Sequence, residues 1–450
     1  MLHSPHHSVT IPTDAGVFDA HHPPSSDQVA DCVHCGFCLP ACPTYALWGR
    51  EADSPRGRIY LMRLGLEGRA TIDEPFARHF DTCLGCMACV TACPSGVKYD
   101  HLIEATRPQI ARQTTRQTGD RWFRRLIFAL FPYPNRLRFV ALGLWAYQRL
   151  GIQSLLRSTG LLERLPPRLK AMEGIAPPVT QRSIFGSVPN LVPAQGERRR
   201  RVGLLLGCVQ RTFFPNVNDA TVRVLAAEGC EIVVPAQGCC GALMMHAGLE
   251  EDAIAMAKRL IDAFEGIDVD TIVINAAGCG STLKTYGHLL RDEPDYAERA
   301  TTLAAKCKDV SEVLAELSPR APRHPLALTV AYHDACHLQH AQGVTSEPRE
   351  VLAAIPGVEV REIPEADLCC GSAGIYNLVE PEAARELGER KAKNVLSTGA
   401  GVVVSSNPGC LLQLQSAMND DASEPMPSAL PMYHLVEVVD ASIRNQPLTK

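Results

Sequence analysis

Two short stretches of this chain carry residues spaced for redox chemistry. Cys32-Val-His-Cys35-Gly-Phe-Cys38-Leu-Pro-Ala-Cys42-Pro43 and Cys83-Leu-Gly-Cys86-Met-Ala-Cys89-Val-Thr-Ala-Cys93-Pro94 share one pattern, C-x2-C-x2-C-x3-C-P. That spacing holds a [4Fe–4S] cubane, because three thiolates on a tight loop reach three corners of one cube. The fourth cysteine, at a helix start, is aimed elsewhere. Where two such runs share a domain, each fourth cysteine ligates the cluster of the other run. Cluster 1 is therefore expected on Cys32, Cys35, Cys38 and Cys93, and cluster 2 on Cys83, Cys86, Cys89 and Cys42. The proline after each fourth cysteine removes a backbone donor there. A zinc site or a disulfide framework is the competing reading, and a doubled eight-cysteine pattern with both prolines argues against it.

The elements that position these residues follow from the rest of the chain. With 450 residues and a hydrophobic fraction of 46%, the chain can build several buried cores. A net charge of −5 argues against a nucleic-acid partner. The start lacks a basic segment followed by an apolar core, so no secretory leader is expected. Cluster thiolates need protection from oxidation, which favours the cytoplasm. No apolar run is long enough for a transmembrane segment.

Residues 1–27, with His3, His6, His7, His21 and His22, read as a disordered tail rather than a metal site. Residues 28–115 read as a helical domain holding two [4Fe–4S] clusters. The insert between the cysteine runs reads as a helix with Ser54 as cap, Pro55 in the first turn, and Ile59, Leu61, Met62, Leu64 and Leu66 as its apolar residues. Arg56 and Arg58 read as solvated. Residues 116–197 read as a helical and linker region. Its arginines interleave with Trp122, Phe123, Phe131, Tyr133, Trp145 and Tyr147, which suits a membrane interface or a partner contact, or equally a helix pair packed on its own core. Residues 158–195 read as a Pro-rich linker, and Arg198 to Arg201 as a solvated strand start.

From Val202 onward, strands alternate with helices. Strands are expected at 202–206, 231–235 and 271–275, and each is followed by cysteine: Cys208, then Cys239 and Cys240, then Cys279. The order recurs with strands at 326–331, 358–363 and 401–405, followed by Cys336, then Cys369 and Cys370, then Cys410. The offsets are 336 − 208 = 128, 369 − 239 = 130 and 410 − 279 = 131, so a βαβαβα unit is duplicated, over 198–318 and 319–450. Cysteines after the carboxyl ends of parallel strands converge on one crevice. Each repeat thus offers four thiols, enough for a further iron–sulfur cluster or a zinc ion. Glycines beside them let the backbone approach a bulky inorganic group. Cys230 and Cys307 lie outside this pattern and read as ordinary thiols. His333 and His337 flank Cys336 and can ligate, bond a cluster sulfur, or serve the fold. The expected class is thus α+β multidomain: a helical two-cluster ferredoxin domain, then a duplicated α/β Cys-Cys-Gly module.

This combination resembles the glycolate oxidase iron–sulfur subunit family, and also the C subunit of anaerobic glycerol-3-phosphate dehydrogenase and the lactate-utilisation iron–sulfur proteins. The Cys35-Gly-Phe-Cys38 stretch, the Asp53-Ser-Pro-Arg-Gly-Arg58 stretch and Asn407-Pro-Gly-Cys410 carry the resemblance most strongly. In heterodisulfide reductase the two modules sit on separate subunits. The general Cys-Cys-Gly repeat ends in C-x2-C, and here Ala276 and Asn407 occupy the first of those positions. That departure puts the five-cysteine cluster of heterodisulfide reductase in doubt, and with it disulfide-reducing catalysis, so a heterodisulfide-reductase-like catalytic subunit, or a glycerol-3-phosphate or lactate dehydrogenase iron–sulfur subunit, stands as the alternative to an electron-relay reading. No G-x-G-x-x-G opens a helix after a strand and no Walker A loop is present, so no flavin is expected on this chain. Abstracting hydride from a hydroxy acid requires such a cofactor. No catalytic residue is therefore expected here. The resemblance implies flavin-binding partner subunits that oxidise glycolate, electron relay toward a membrane quinone, and a peripheral place on the inner face of the cytoplasmic membrane.

Overall fold

The computed structural model describes residues 16–420 and 430–448. The chain divides into two units, Met1–Arg116 with His246–Leu249, and Gln117–Met245 with Glu250–Lys450.

The first unit is helical. Ser54 caps the helix Pro55–Leu66 by accepting a hydrogen bond from the Gly57 amide at 3.1 Å, and Pro55 sits in its first turn. Ile59, Met62 and Leu66 fall on the buried face of that helix. They pack with Phe76 and Phe80 from Glu74–Asp81 and with Tyr99, Leu102, Ile103 and Ile110 from Tyr99–Gln113. Cysteines of both runs border this core, so closing it also sets the cysteine loops.

The tail expected over 1–27 departs from the structure from Gly16 onward. His3, His6 and His7 lie outside the described residues. Phe18 is buried in the same core, with its ring centroid 6.4 Å from that of Phe76. Asp19 pairs with Arg112 at 2.8 Å and accepts from Gln109 Nε2 at 3.0 Å. One aromatic side chain and one ion pair, neither periodic, hold this segment in place.

The second unit contains two sheets. Strands β1 (Leu191–Val192), β2 (Arg200–Leu205), β3 (Cys230–Val233), β4 (Thr271–Ile274) and β5 (Cys307–Asp309) form the first, in the order β1-β3-β2-β4-β5. Strands β6 (Leu328–His333), β7 (Val358–Glu362), β8 (Val402–Ser405) and β9 (Met432–His434) form the second, in the order β7-β6-β8-β9. All pairings are parallel except that of β1 with β3. The central strands are short apolar runs buried on both faces, as in other helix-covered parallel sheets. The Pro-rich stretch expected as linker carries structure, namely the helices Pro167–Gly174 and Gln181–Phe185 and edge strand β1. Its regular segments are short, which left no readable period. Before it, Thr118–Leu130 and Pro134–Arg149 form the helix pair, with Trp122 and Phe139 exposed at 66% and 77%. Among the described residues no helix is long and apolar enough to cross a membrane. The arginine run at the start of β2 is ion-paired, Arg200 to Glu316 at 2.9 Å and Arg201 to Glu231 at 2.7 Å.

Candidate iron–sulfur sites

In each ferredoxin-type run the backbone takes positive φ immediately before and after the second cysteine: His34 and Gly36 around Cys35, Gly85 and Met87 around Cys86. Two such kinks wrap the chain around a point and bring three cysteines to it. Burial then sorts the eight cysteines into two groups. Cys42, Cys83, Cys86 and Cys89 are buried, whereas Cys32, Cys35, Cys38 and Cys93 are partly or fully exposed. The second group lines one open cleft, which Cys89 of the first group also borders, and its four thiols match a cubane in chemistry and number. Burial pushes the Cys38 thiol up to about 11. Burial also raises Cys89 well above the ordinary range, and the nearby Cys86, Cys83 and Cys42 add to the effect. A bound cation removes this conflict by taking the thiols as thiolates.

The buried group has a residue the sequence reading misplaced. Arg58 is not solvated. It is 1% exposed and donates to His79 O at 2.6 Å, Thr44 Oγ1 at 3.1 Å and Thr82 Oγ1 at 3.2 Å. Burial opposes its charge, but Cys83, Tyr99, Cys42 and Asp53 together hold it in the charged form. In turn the Cys83 thiol, though disfavoured by burial, is lowered by Arg58 and Arg107. Arg56, by contrast, pairs with Glu51 at 2.6 Å and donates to His34 O at 3.0 Å, bracing the first cysteine loop from outside.

In the second unit the eight cysteines of the repeated pattern follow the carboxyl ends of strands, where parallel topology gathers them. Cys208 follows β2, Cys239 and Cys240 follow β3, and Cys279 lies in the helix Ala277–Lys284 after β4. Cys336 opens the helix Cys336–Gln342 after β6, Cys369 and Cys370 follow β7, and Cys410 lies in Pro408–Asp420 after β8. Cys208 Sγ and Cys239 Sγ lie 3.4 Å apart, and Cys336 Sγ and Cys369 Sγ 3.8 Å apart. Cys240 interacts with both Cys239 and Cys279, and Cys370 with both Cys369 and Cys410. Each repeat therefore presents an unbroken row of four sulfurs. The hydrogen bond between Cys208 and Cys239 raises the Cys208 thiol, and burial raises it further. Cys370 is lowered well below the ordinary thiol range by Cys369 and Cys410, with His333 adding to the effect against burial.

The glycines after the paired cysteines are also required by the fold. Gly241 and Gly371 hold φ of +83° and +89°, and a Cβ on Gly371 would stand 2.6 Å from Ala384 O. They let the cysteine loop press against the following helix. Cys230 and Cys307 sit within β3 and β5, away from the sulfur rows. The helices carrying Cys279 and Cys336 pack together: Gln342 Nε2 donates to Ala277 O at 2.9 Å, and a Cβ on Gly278 would lie 3.6 Å from His337 Nδ1.

Comparison with known proteins agrees with this arrangement. Residues 28–97 match the 4Fe-4S dicluster domain, and residues 202–284 and 330–415 each match the cysteine-rich domain. Residues 119–176 match the linker region of the glycolate oxidase iron-sulfur subunit. The probable glycolate oxidase iron-sulfur subunit of Bacillus subtilis (strain 168) is 42% identical, over 86% of this chain and 88% of that protein. The glycolate oxidase iron-sulfur subunit of Escherichia coli (strain K12) is 35% identical, over 92% of this chain and 94% of that protein. Lactate utilization protein A of Halalkalibacterium halodurans is 28% identical, over 55% of this chain and 99% of that protein. The chain is an iron–sulfur protein and belongs to the glycolate oxidase iron-sulfur subunit family.

Proposed function

We propose that this chain is the electron-transfer subunit of a glycolate-oxidising complex whose flavin is carried by partner subunits. The observation that carries the reading is the sorting of eight ferredoxin-type cysteines into an exposed and a buried set of four. On this reading Cys32, Cys35, Cys38 and Cys93 hold one [4Fe–4S] cluster, and Cys83, Cys86, Cys89 and Cys42 hold another. Cys208, Cys239, Cys240 and Cys279 hold a third metal centre, and Cys336, Cys369, Cys370 and Cys410 a fourth, on two copies of a duplicated βαβαβα unit. When bound, such centres take up and release single electrons without moving atoms far.

The residues around them set direction. Cys35 is exposed, flanked by Val33 and Phe37 at 68% exposure each, so this edge suits exchange with a docked redox partner. Arg58 places a permanent positive charge beside the buried set. The packed helices carrying Cys279 and Cys336 put the two repeat centres across one helix contact. Electrons then leave toward a membrane quinone, with the exposed apolar side chains of 118–149 resting on the inner membrane face.

The test is iron, sulfide and zinc per chain in anaerobically purified protein, followed by reduction with glycolate in the presence of the flavin subunits. More than about eight irons per chain, part of it lost on Cys239→Ser or Cys369→Ser, is expected. About eight irons with zinc alongside would confine redox chemistry to the first unit. Iron that stays oxidised when glycolate reduces the flavin subunits would remove the relay role.

A further inference from the structure

The two sulfur rows differ at one position. β6 ends on His333, three residues before Cys336, and β2 ends on Leu205, three residues before Cys208. The strand neighbours differ likewise: His333 pairs with Ser405 on β8, and Leu205 pairs with Ile274 on β4. The first repeat is thus apolar where the second is polar.

His333 is 2% exposed, its Nε2 makes no well-aligned hydrogen bond, and its ring interacts with the Cys370 thiol. A buried imidazole whose partner is a thiol is weakly satisfied, because sulfur is a poor hydrogen-bonding atom. Two thiols surround it. Ligand atoms of His333, Cys370 and Cys410, all buried, lie within 4.8 Å of one another. Asn407 Nδ2 donates to Cys410 Sγ at 3.2 Å from the other side, so that sulfur is already oriented. The corresponding residue at the end of β2 is Leu205, whose side chain has no nitrogen.

We propose that His333 Nε2 ligates an iron of the second repeat's cluster beside Cys336, Cys369, Cys370 and Cys410, so that this centre has mixed thiolate and imidazole ligation while the first repeat's is all thiolate. The proposal rests on the assignment of the repeat cysteines as cluster ligands. The imidazole adds a neutral donor to four thiolates, so the two centres carry equal ligand charge and differ in the number and kind of donors. Because the helices bearing Cys279 and Cys336 pack on each other, the two centres are near enough to exchange electrons directly.

The experiment uses the full chain, produced anaerobically with 15N-histidine, reduced and examined by pulsed EPR, with iron and zinc counted in parallel. Cys370→Ser is expected to lose iron and one paramagnetic signal, and that signal in the wild type is expected to carry a directly bonded 15N coupling. His333→Cys is expected to keep the iron count and lose the coupling, with a lower reduction potential for that centre. His333→Asn is a second variant for the case where the thiol perturbs folding. If Cys370→Ser loses iron but the wild-type signal has no 15N coupling, or if the coupling survives His333→Cys, the histidine assignment fails alone. If Cys370→Ser loses no iron, or the second repeat holds zinc, the reading of the repeats as cluster sites fails and the histidine assignment with it.

Discussion

Arg58 shows how much one side chain can decide in a site built of thiols. Its guanidinium is buried between cysteines expected to serve as anionic ligands, and it donates to one carbonyl and two hydroxyls, a fork that lysine cannot reproduce. Its charge also answers Asp53, which is 3% exposed and bonds His79 Nδ1 at 2.8 Å. Removing one member of such a buried charge set costs about 3 kcal/mol. Arg58→Met is therefore expected to lower the urea midpoint for release of the buried cluster's iron. It is also expected to shift that cluster's reduction potential downward, since a reduced cluster is more anionic and loses a nearby cation. A redox titration followed by EPR reads the second effect. An unchanged potential with reduced stability would make Arg58 a structural residue only.

At the scale of elements, the first unit depends on how the helix Pro55–Leu66 starts. The Ser54 cap is an ordinary one, and Ser54→Ala is expected to cost about 1 kcal/mol. Gly57 is more restrictive. A Cβ there would stand 1.9 Å from Glu51 O, so the helix must lie directly on the preceding turn at Glu51–Asp53. Gly57→Ala forces backbone apart, at about 2–3 kcal/mol, and it moves the segment that carries both Arg56 and Arg58. The expected outcome is a larger loss of thermal midpoint by circular dichroism than for Ser54→Ala, together with loss of cubane iron. In the second unit Gly371→Ala meets two obstacles, positive φ and the Ala384 carbonyl. It should remove the metal of the second repeat and leave the first repeat's in place, read as iron per chain against wild type.

At the scale of the whole chain, what was legible in the sequence was what repeats or alternates. Six strands stand out because each is a run of four or more residues with an apolar core, followed by a cysteine. β1, β5 and β9 have two or three residues each and no period. Phe18 and Arg58 escaped because their burial depends on partners far along the chain, Phe76 and the His79 carbonyl. His333 was visible only as a residue near Cys336; its place beside Cys370 and Cys410 required the sheet. Cys230 and Cys307 were legible as outsiders to the pattern, and they give the second unit a testable pH dependence. Burial pushes Cys230 up to about 11 and Cys307 up to about 12, against 9.0 for an ordinary thiol. A group whose native value lies above its unfolded value contributes stability that is full below the unfolded value and is lost as pH rises through the native one. Stability of the second unit should therefore hold below pH 9 and decline between pH 9 and about 12, by on the order of 3 kcal/mol for each thiol. Neither cysteine belongs to a sulfur row, so loading with iron should leave this decline in place. Cys230→Val and Cys307→Val together should flatten it. Urea unfolding followed by circular dichroism across pH 8 to 11 measures the effect, and an unchanged slope in the double variant would assign the decline to other groups.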